Sequence, residues 1–89
     1  NKESLNIIIE ITNVLNKYNL ANKIDSIDVT SSEDLKLYIG NIEVDLGDIE
    51  DIDQKIRIAI EAINNLATNA KGILNVSSSS GKVYFRPVA

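Results

Sequence analysis

Two runs of strict apolar–polar alternation, residues 35–39 and 42–46, stand on either side of Gly40-Asn41. No other feature of the chain constrains its fold as much. A two-residue hairpin loop takes a type I′ or II′ turn, and both need a positive φ that Gly and Asn accept at little cost. The loop length then fixes the register. Ile39 faces Ile42, Leu37 faces Val44 and Leu35 faces Leu46 on one side, while Tyr38 faces Glu43 and Lys36 faces Asp45 on the other. A slip of one residue would turn every apolar side chain to water, so a single register satisfies both faces. Lys36 and Asp45 form a compatible cross-strand charge pair, worth a few tenths of a kcal/mol at most.

A sheet with one apolar face needs a cover, and two amphipathic helices supply it. In residues 4–20, Leu5, Ile8, Ile11, Leu15 and Tyr18 recur at three- and four-residue spacing, and Ile7 and Val14 widen the stripe. Ser4 suits the N-cap, and Asn19 and Asn22 suit the exit. Residues 51–70 carry Ile52, Ile56, Ala59, Ile60, Ile63, Leu66, Ala67 and Ala70 on a broad apolar face. Asp51 and Gln54 have the spacing of a capping box, and Gly72 suits the C′ stop. Ile58 falls off this stripe; it marks a boundary, or a surface covered in a longer protein.

The remaining segments read as strands. Ile27 and Val29 share a face within residues 24–30. Leu74 and Val76, then Val83 and Phe85, suggest a second hairpin. A tight turn at Ser79-Ser80 pairs Val76 with Val83 and Leu74 with Phe85; a looser loop through Gly81 serves as well. Pro87 has no amide to give a ladder and must sit at a strand end or an edge. The order is α-β-β-β-α-β-β. The expectation is an α+β fold, a mainly antiparallel five-stranded sheet with two helices packed on one face, in a single domain of 89 residues.

Composition closes off many chemistries. The chain has no Cys and no His. Thiolate nucleophiles, disulfides, Cys-based zinc sites and the usual neutral-pH base are therefore missing. A net charge of −4 without a basic block argues against nucleic acid as the main partner. The acids Asp48, Glu50, Asp51 and Asp53 invite a calcium reading. An EF-hand loop starting at Asp48 would need Gly and Glu where Asp53 and Ala59 stand. These acids read instead as a helix N-terminus, where the macrodipole favours them. Ser79 and Lys82 are three apart, but hairpin geometry puts no base on the hydroxyl. Gly40 and Gly47 form no phosphate cradle. No carboxylate stands isolated in an apolar setting, and Asp45 is matched with Lys36. The expectation is a protein with no catalytic site, metal or cofactor.

The last strand offers more. Lys82-Val83-Tyr84-Phe85-Arg86 holds two of the four aromatics and one of the two Arg. Tyr and Arg are enriched at binding hot spots. A terminal strand commonly lies at a sheet edge, where unpaired backbone groups invite a strand from another chain. The plainer reading makes Val83 and Phe85 core and Tyr84 a half-exposed ring.

The order of short motifs carries a resemblance. Ile42-Glu43-Val44-Asp45-Leu46-Gly47, then Ile52 and Lys55, then Gly72-Ile73-Leu74-Asn75-Val76-Ser77 and Lys82-Val83-Tyr84-Phe85-Arg86-Pro87 resemble the C-terminal β domain of the bacterial cell-division family FtsQ/DivIB. Ile24 to Val29 followed by Leu35 to Leu37 fits the same pattern, and Asn75 stands where the family usually carries Asp. The resemblance implies a non-enzymatic divisome scaffold, with a cytoplasmic tail, one transmembrane helix and a POTRA domain ahead of this domain. It implies a place on the extracytoplasmic face of the membrane at the septum. The implied partners are proteins of the FtsB/DivIC and FtsL type, with a strand added along Lys82, Val83, Tyr84, Phe85 and Arg86. A start at Asn1 without Met, close to a helical pattern, agrees with an excised piece of such a protein. The rival reading is a small-molecule regulatory domain appended to a metabolic enzyme, with its ligand at a Gly-rich loop or a dimer interface.

Overall fold

The alternating runs form the central hairpin of the computed structural model, which describes residues 2–78 and 82–88. The chain runs α1 (Lys2–Lys17), a 3₁₀ turn (Ala21–Lys23), β1 (Ser26–Asp28), β2 (Leu35–Ile39), β3 (Ile42–Gly47), α2 (Ile52–Asn64), β4 (Gly72–Asn75) and β5 (Tyr84–Pro87). The class is α+β and the order is the one the sequence predicts. The strands lie in the order β1-β2-β3-β4-β5. Every pair is antiparallel except β3 with β4, which α2 joins as a parallel crossover. Among the described residues no helix is long and apolar enough to cross a membrane.

In the β2–β3 hairpin, Ile39, Tyr38, Leu37 and Lys36 face Ile42, Glu43, Val44 and Asp45 as expected. Gly40 has φ +57 and Asn41 is not in the positive region, the pattern of a II′ turn. The Asp25 carboxylate accepts the Gly40 amide at 2.6 Å and holds the turn. One pair departs from expectation. Leu35 faces Gly47 rather than Leu46, across a bulge. Gly47 takes φ +71 there, so the extra residue is absorbed where a glycine tolerates it.

Leu35, Leu37, Val44, Leu46, Leu74 and Val76 make the inner face of the sheet, and Ile11, Leu15, Ile56 and Ala59 of the helices complete the core. The opposite face has no helix. The register sets two rows across it: Ser26, Tyr38, Glu43, Ile73 and Arg86, and Asp28, Lys36, Asp45, Asn75 and Tyr84.

Both helices differ from the expected pattern in ways that packing explains. Ser4 lies inside α1 rather than at its cap. The buried face of α1 is Ile7, Ile11, Val14 and Leu15, whereas Leu5 is 57% exposed and Ile8 also faces water. Positions 5, 7, 8, 9 and 11 are all Leu or Ile. Apolar residues surround the first turns, and the sheet decides which arc is covered. Asn19 does provide the exit, with φ +58 and the Leu20 amide bonded back to the Leu15 carbonyl at 2.7 Å. Helix α2 ends at Asn64, six residues earlier than the pattern suggests. Leu66 and Ala70 still pack on the core from the turns beyond it. Gly72 is therefore no helix stop. It opens β4, where a Cβ would run into the Arg86 carbonyl and meet the Phe85 ring at 2.9 Å. Close approach of β5, rather than helix termination, is what requires a glycine there.

Candidate protein-binding edge

Among the described residues, strand β5 closes one side of the sheet and has only β4 as neighbour. Leu74 stands across from Phe85 and Asn75 from Tyr84. The turn proposed at Ser79-Ser80, and the alternative through Gly81, lie outside the described residues. The Val88 amide donates to the Lys71 carbonyl at 3.0 Å, one step beyond the Gly72–Pro87 pair. Along an antiparallel ladder, residues bonded inward alternate with residues whose N–H and C=O point away. Arg86 and Tyr84 thus bond toward β4, while Phe85 and, just ahead of the strand, Val83 turn their backbone groups outward. Pro87 falls on an outward position, where no internal bond needs its missing amide.

The side chains alternate in the same way. Val83 and Phe85 are partly buried and pack against the core. Tyr84 is 61% exposed on the uncovered face, and Lys82 and Arg86 are exposed as well. Of the five residues singled out from the sequence, Tyr84, Phe85 and Arg86 lie in β5, and Lys82 and Val83 stand just ahead of it, because the ladder with β4 ends at the Asn75–Tyr84 pair. Core packing and open backbone coexist in Phe85.

A charge asymmetry frames this edge. All thirteen acids lie within the first 70 residues, alongside six cations. The last 19 residues hold Lys71, Lys82 and Arg86 and no acid. The sequence displays this plainly, although a small net charge hides it. A cationic edge on an acidic domain attracts acidic partners.

Two of the four acids around the start of α2, Asp48 and Asp53, are matched by the protein's own cations. Asp51 has φ +54 and makes no side-chain cap bond, so the expected capping box is absent. Lys55 is only 2% exposed, and its ammonium donates to the Asp48 carbonyl at 3.0 Å and the Asp48 carboxylate at 3.2 Å. That bond, with the Glu50 amide, holds the Asp48 carboxyl below its usual value. Asp53 receives Lys17 at 2.8 Å, the Tyr18 hydroxyl at 2.6 Å and Arg57 at 3.3 Å, tying α1 to α2. The Lys17 and Tyr18 bonds lower its pKa too. Among the described residues no group of three acids could hold a metal ion. Lys55 was singled out only as a motif letter. The signal for its role was a cation amid Ile52, Ile56 and Ala59 on a buried helix face.

Asp45 is not matched with Lys36. The Lys36 ammonium pairs with Asp34 at 3.4 Å. The Asp45 Oδ1 is shut off from solvent and has no hydrogen-bond partner among the described residues. Desolvation, then the hydrogen bond and charge of Glu43, raise the Asp45 pKa to about 6 against the weaker pull of Lys36. Asn75, the cross-strand neighbour on β4, turns its side-chain oxygen to the Ser77 amide at 2.9 Å and hydroxyl at 2.7 Å and gives the Asp45 Oδ1 no hydrogen bond. The pocket beside the Gly40-Asn41 turn, about 360 Å³, has no charged residue in its lining. It offers little to an ionic metabolite.

No family model matches the chain, and no curated protein or solved structure matches it either.

Proposed function

We propose that this domain is a non-enzymatic scaffold of the bacterial divisome on the extracytoplasmic face of the membrane. It takes a partner of the FtsB/DivIC type, and with it FtsL, by strand addition along β5, and so helps to control septal cell-wall synthesis. The observation that supports this most is the edge itself: Phe85 turns its N–H and C=O outward between the exposed Tyr84 and Arg86. Backbone groups of this kind give a docking strand its affinity, and the flanking side chains give it specificity. The cations Lys82 and Arg86 would speed encounter with an acidic partner. The motif order across the chain supports the choice of family.

Backbone chemistry tests the reading without touching a side chain. At 89 residues the protein is within reach of chemical synthesis. N-methylation of Phe85 removes an outward donor and keeps the ring. It should leave the fold intact and abolish binding to the extracytoplasmic part of the FtsB/DivIC-type protein. N-methylation of Arg86 should instead cost stability, because that amide bonds to β4. Unchanged affinity with N-methyl-Phe85 would mean that β5 is not the docking strand.

A further inference from the structure

We infer that the groove between α2 and β5 receives a side chain of the strand that docks on β5, so that the partner segment alternates, with a large apolar residue opposite Val83. This rests on the strand-addition reading above. The groove holds about 270 Å³ and is lined by Ile58, Glu61, Ala62, Asn65 and Val83. Ile58, Glu61 and Ala62 of α2 and its C-cap Asn65 follow i, i+3, i+4, i+7 spacing, so they form one stripe turned toward the edge. Ile58, which does not belong to the main apolar face of α2, lies here beside Val83.

The occupant follows from the geometry. Val83 and Phe85 point their side chains to the helix side and their backbone outward. A strand laid outside β5 shares its pleat, so its residue opposite Val83 projects to the helix side too. That position is the mouth of the groove. Open backbone groups alongside an apolar floor suit an extended chain; a helix would leave those groups unpaired. Pro87 ends the ladder, since it offers a carbonyl and no amide. The paired stretch is therefore short, and one anchoring side chain matters more to it than to a long interface. Glu61 is the one acid in the groove and suits an uncharged anchor; Arg86 projects to the opposite face of the edge, so acidic residues of the docking strand belong at the positions that alternate with the anchor.

The test is calorimetric titration of the extracytoplasmic part of the FtsB/DivIC-type protein into four chains: wild type, Ala62→Phe, Asn65→Trp and the chain with N-methyl-Phe85. Both substitutions fill the groove from the helix side. Asn65 is exposed, so Asn65→Trp carries the test if Ala62→Phe fails to fold. The expected result is a loss of at least about tenfold in affinity for both, with unchanged urea midpoints. One apolar position of the partner strand should lose affinity on truncation to Ala against wild type and lose none against the filled groove, the signature of a direct contact. Wild-type affinity in both filled variants, with binding abolished by N-methyl-Phe85, overturns the groove and leaves strand addition standing. Binding that survives N-methyl-Phe85 overturns strand addition, and the groove inference falls with it.

Discussion

At the start of α2, Asp48 and Asp53 lie against cations; on the outer face of β3, Glu43 and Asp45 lie against each other. Both sites concentrate carboxylates, and their pKa values move in opposite directions. Asp48 and Asp53 are lowered by Lys55, Lys17 and Tyr18. Asp45 is raised by burial and by Glu43. The difference comes from the elements that supply the neighbours. Two helix ends meet around Asp53, each with its own side chains to offer. The centre of an uncovered sheet receives only what adjacent strands carry, and there the Lys36 ammonium is held by Asp34. Acids at a junction can be matched by many routes, and acids in a strand row by few.

The largest effect should come from removing the cation of the matched site. Lys55→Ala deletes a buried stem and leaves the Asp48 carbonyl without its donor. It should cost about 2–3 kcal/mol, the lower part of the range for large buried truncations, because Asp48 itself can return to water. Lys55→Met keeps the stem and should cost less than half as much. Urea midpoints at constant slope measure both. Equal losses would mean that the ammonium's bonds alone account for the site and that the buried stem adds nothing.

The unmatched site should respond with the opposite sign. Asp45→Asn removes a charge the fold disfavours and should stabilise the domain at neutral pH by about 1 kcal/mol, a value reduced for the solvent that screens a partly exposed group. Destabilisation would mean that the carboxylate has a partner after all.

The contrast also shows what a sequence can and cannot say. The β2–β3 register was legible because alternation and loop length are local and agree. The adjacency of Lys36 and Asp45 followed from that register; the choice of Asp34 by a long, flexible lysine did not. The buried arc of α1 was illegible because Leu5, Ile7, Ile8, Ile9 and Ile11 leave no polar side to exclude. Gly72 was misread because a helix stop and a close backbone approach ask for the same residue. At the candidate edge the strand and its residues were legible. The outward parity needed the Val88–Lys71 bond. Pro87 held a clue, since on an edge strand a proline fits best where the amide would point to water.

A pH profile reads both sites in one experiment. The folded protein holds the Asp45 proton up to about pH 6, whereas an unfolded chain releases it near 4. Between these values the native state binds more protons, so stability falls as pH rises from about 4 to just above 6. Asp48 and Asp53 act in reverse: their lowered pKa values contribute stability above about 4 that is lost as pH falls further. The urea midpoint should therefore peak at mildly acidic pH. Asp45→Asn should flatten the limb above the peak and leave the acid limb intact. A profile that rises steadily to pH 8 would contradict the placement of Asp45.

The smallest effect tests why Asp45 is unmatched. Lys36 stands directly across from Asp45 in the sheet, but its ammonium is held by Asp34, whose carboxylate is largely exposed. Asp34 acts on Asp45 twice: it engages the nearest cation and adds a repelling negative charge. Asp34→Asn should free Lys36 to turn toward the shielded Oδ1 and remove that repulsion. Both changes favour the ionised form, so the Asp45 pKa should drop back toward the ordinary carboxylate range. Overall stability at neutral pH should rise by only a fraction of the Asp45→Asn gain, through the lowered Asp45 pKa, since the lost Asp34–Lys36 pair is a surface one and costs little. Carbon-detected NMR titration of the Asp45 carboxyl would follow the shift directly. A pKa that stays near 6 would show that burial beside Glu43 alone sets it, and that the nearness of a cation in the register does nothing for a strand-centre acid.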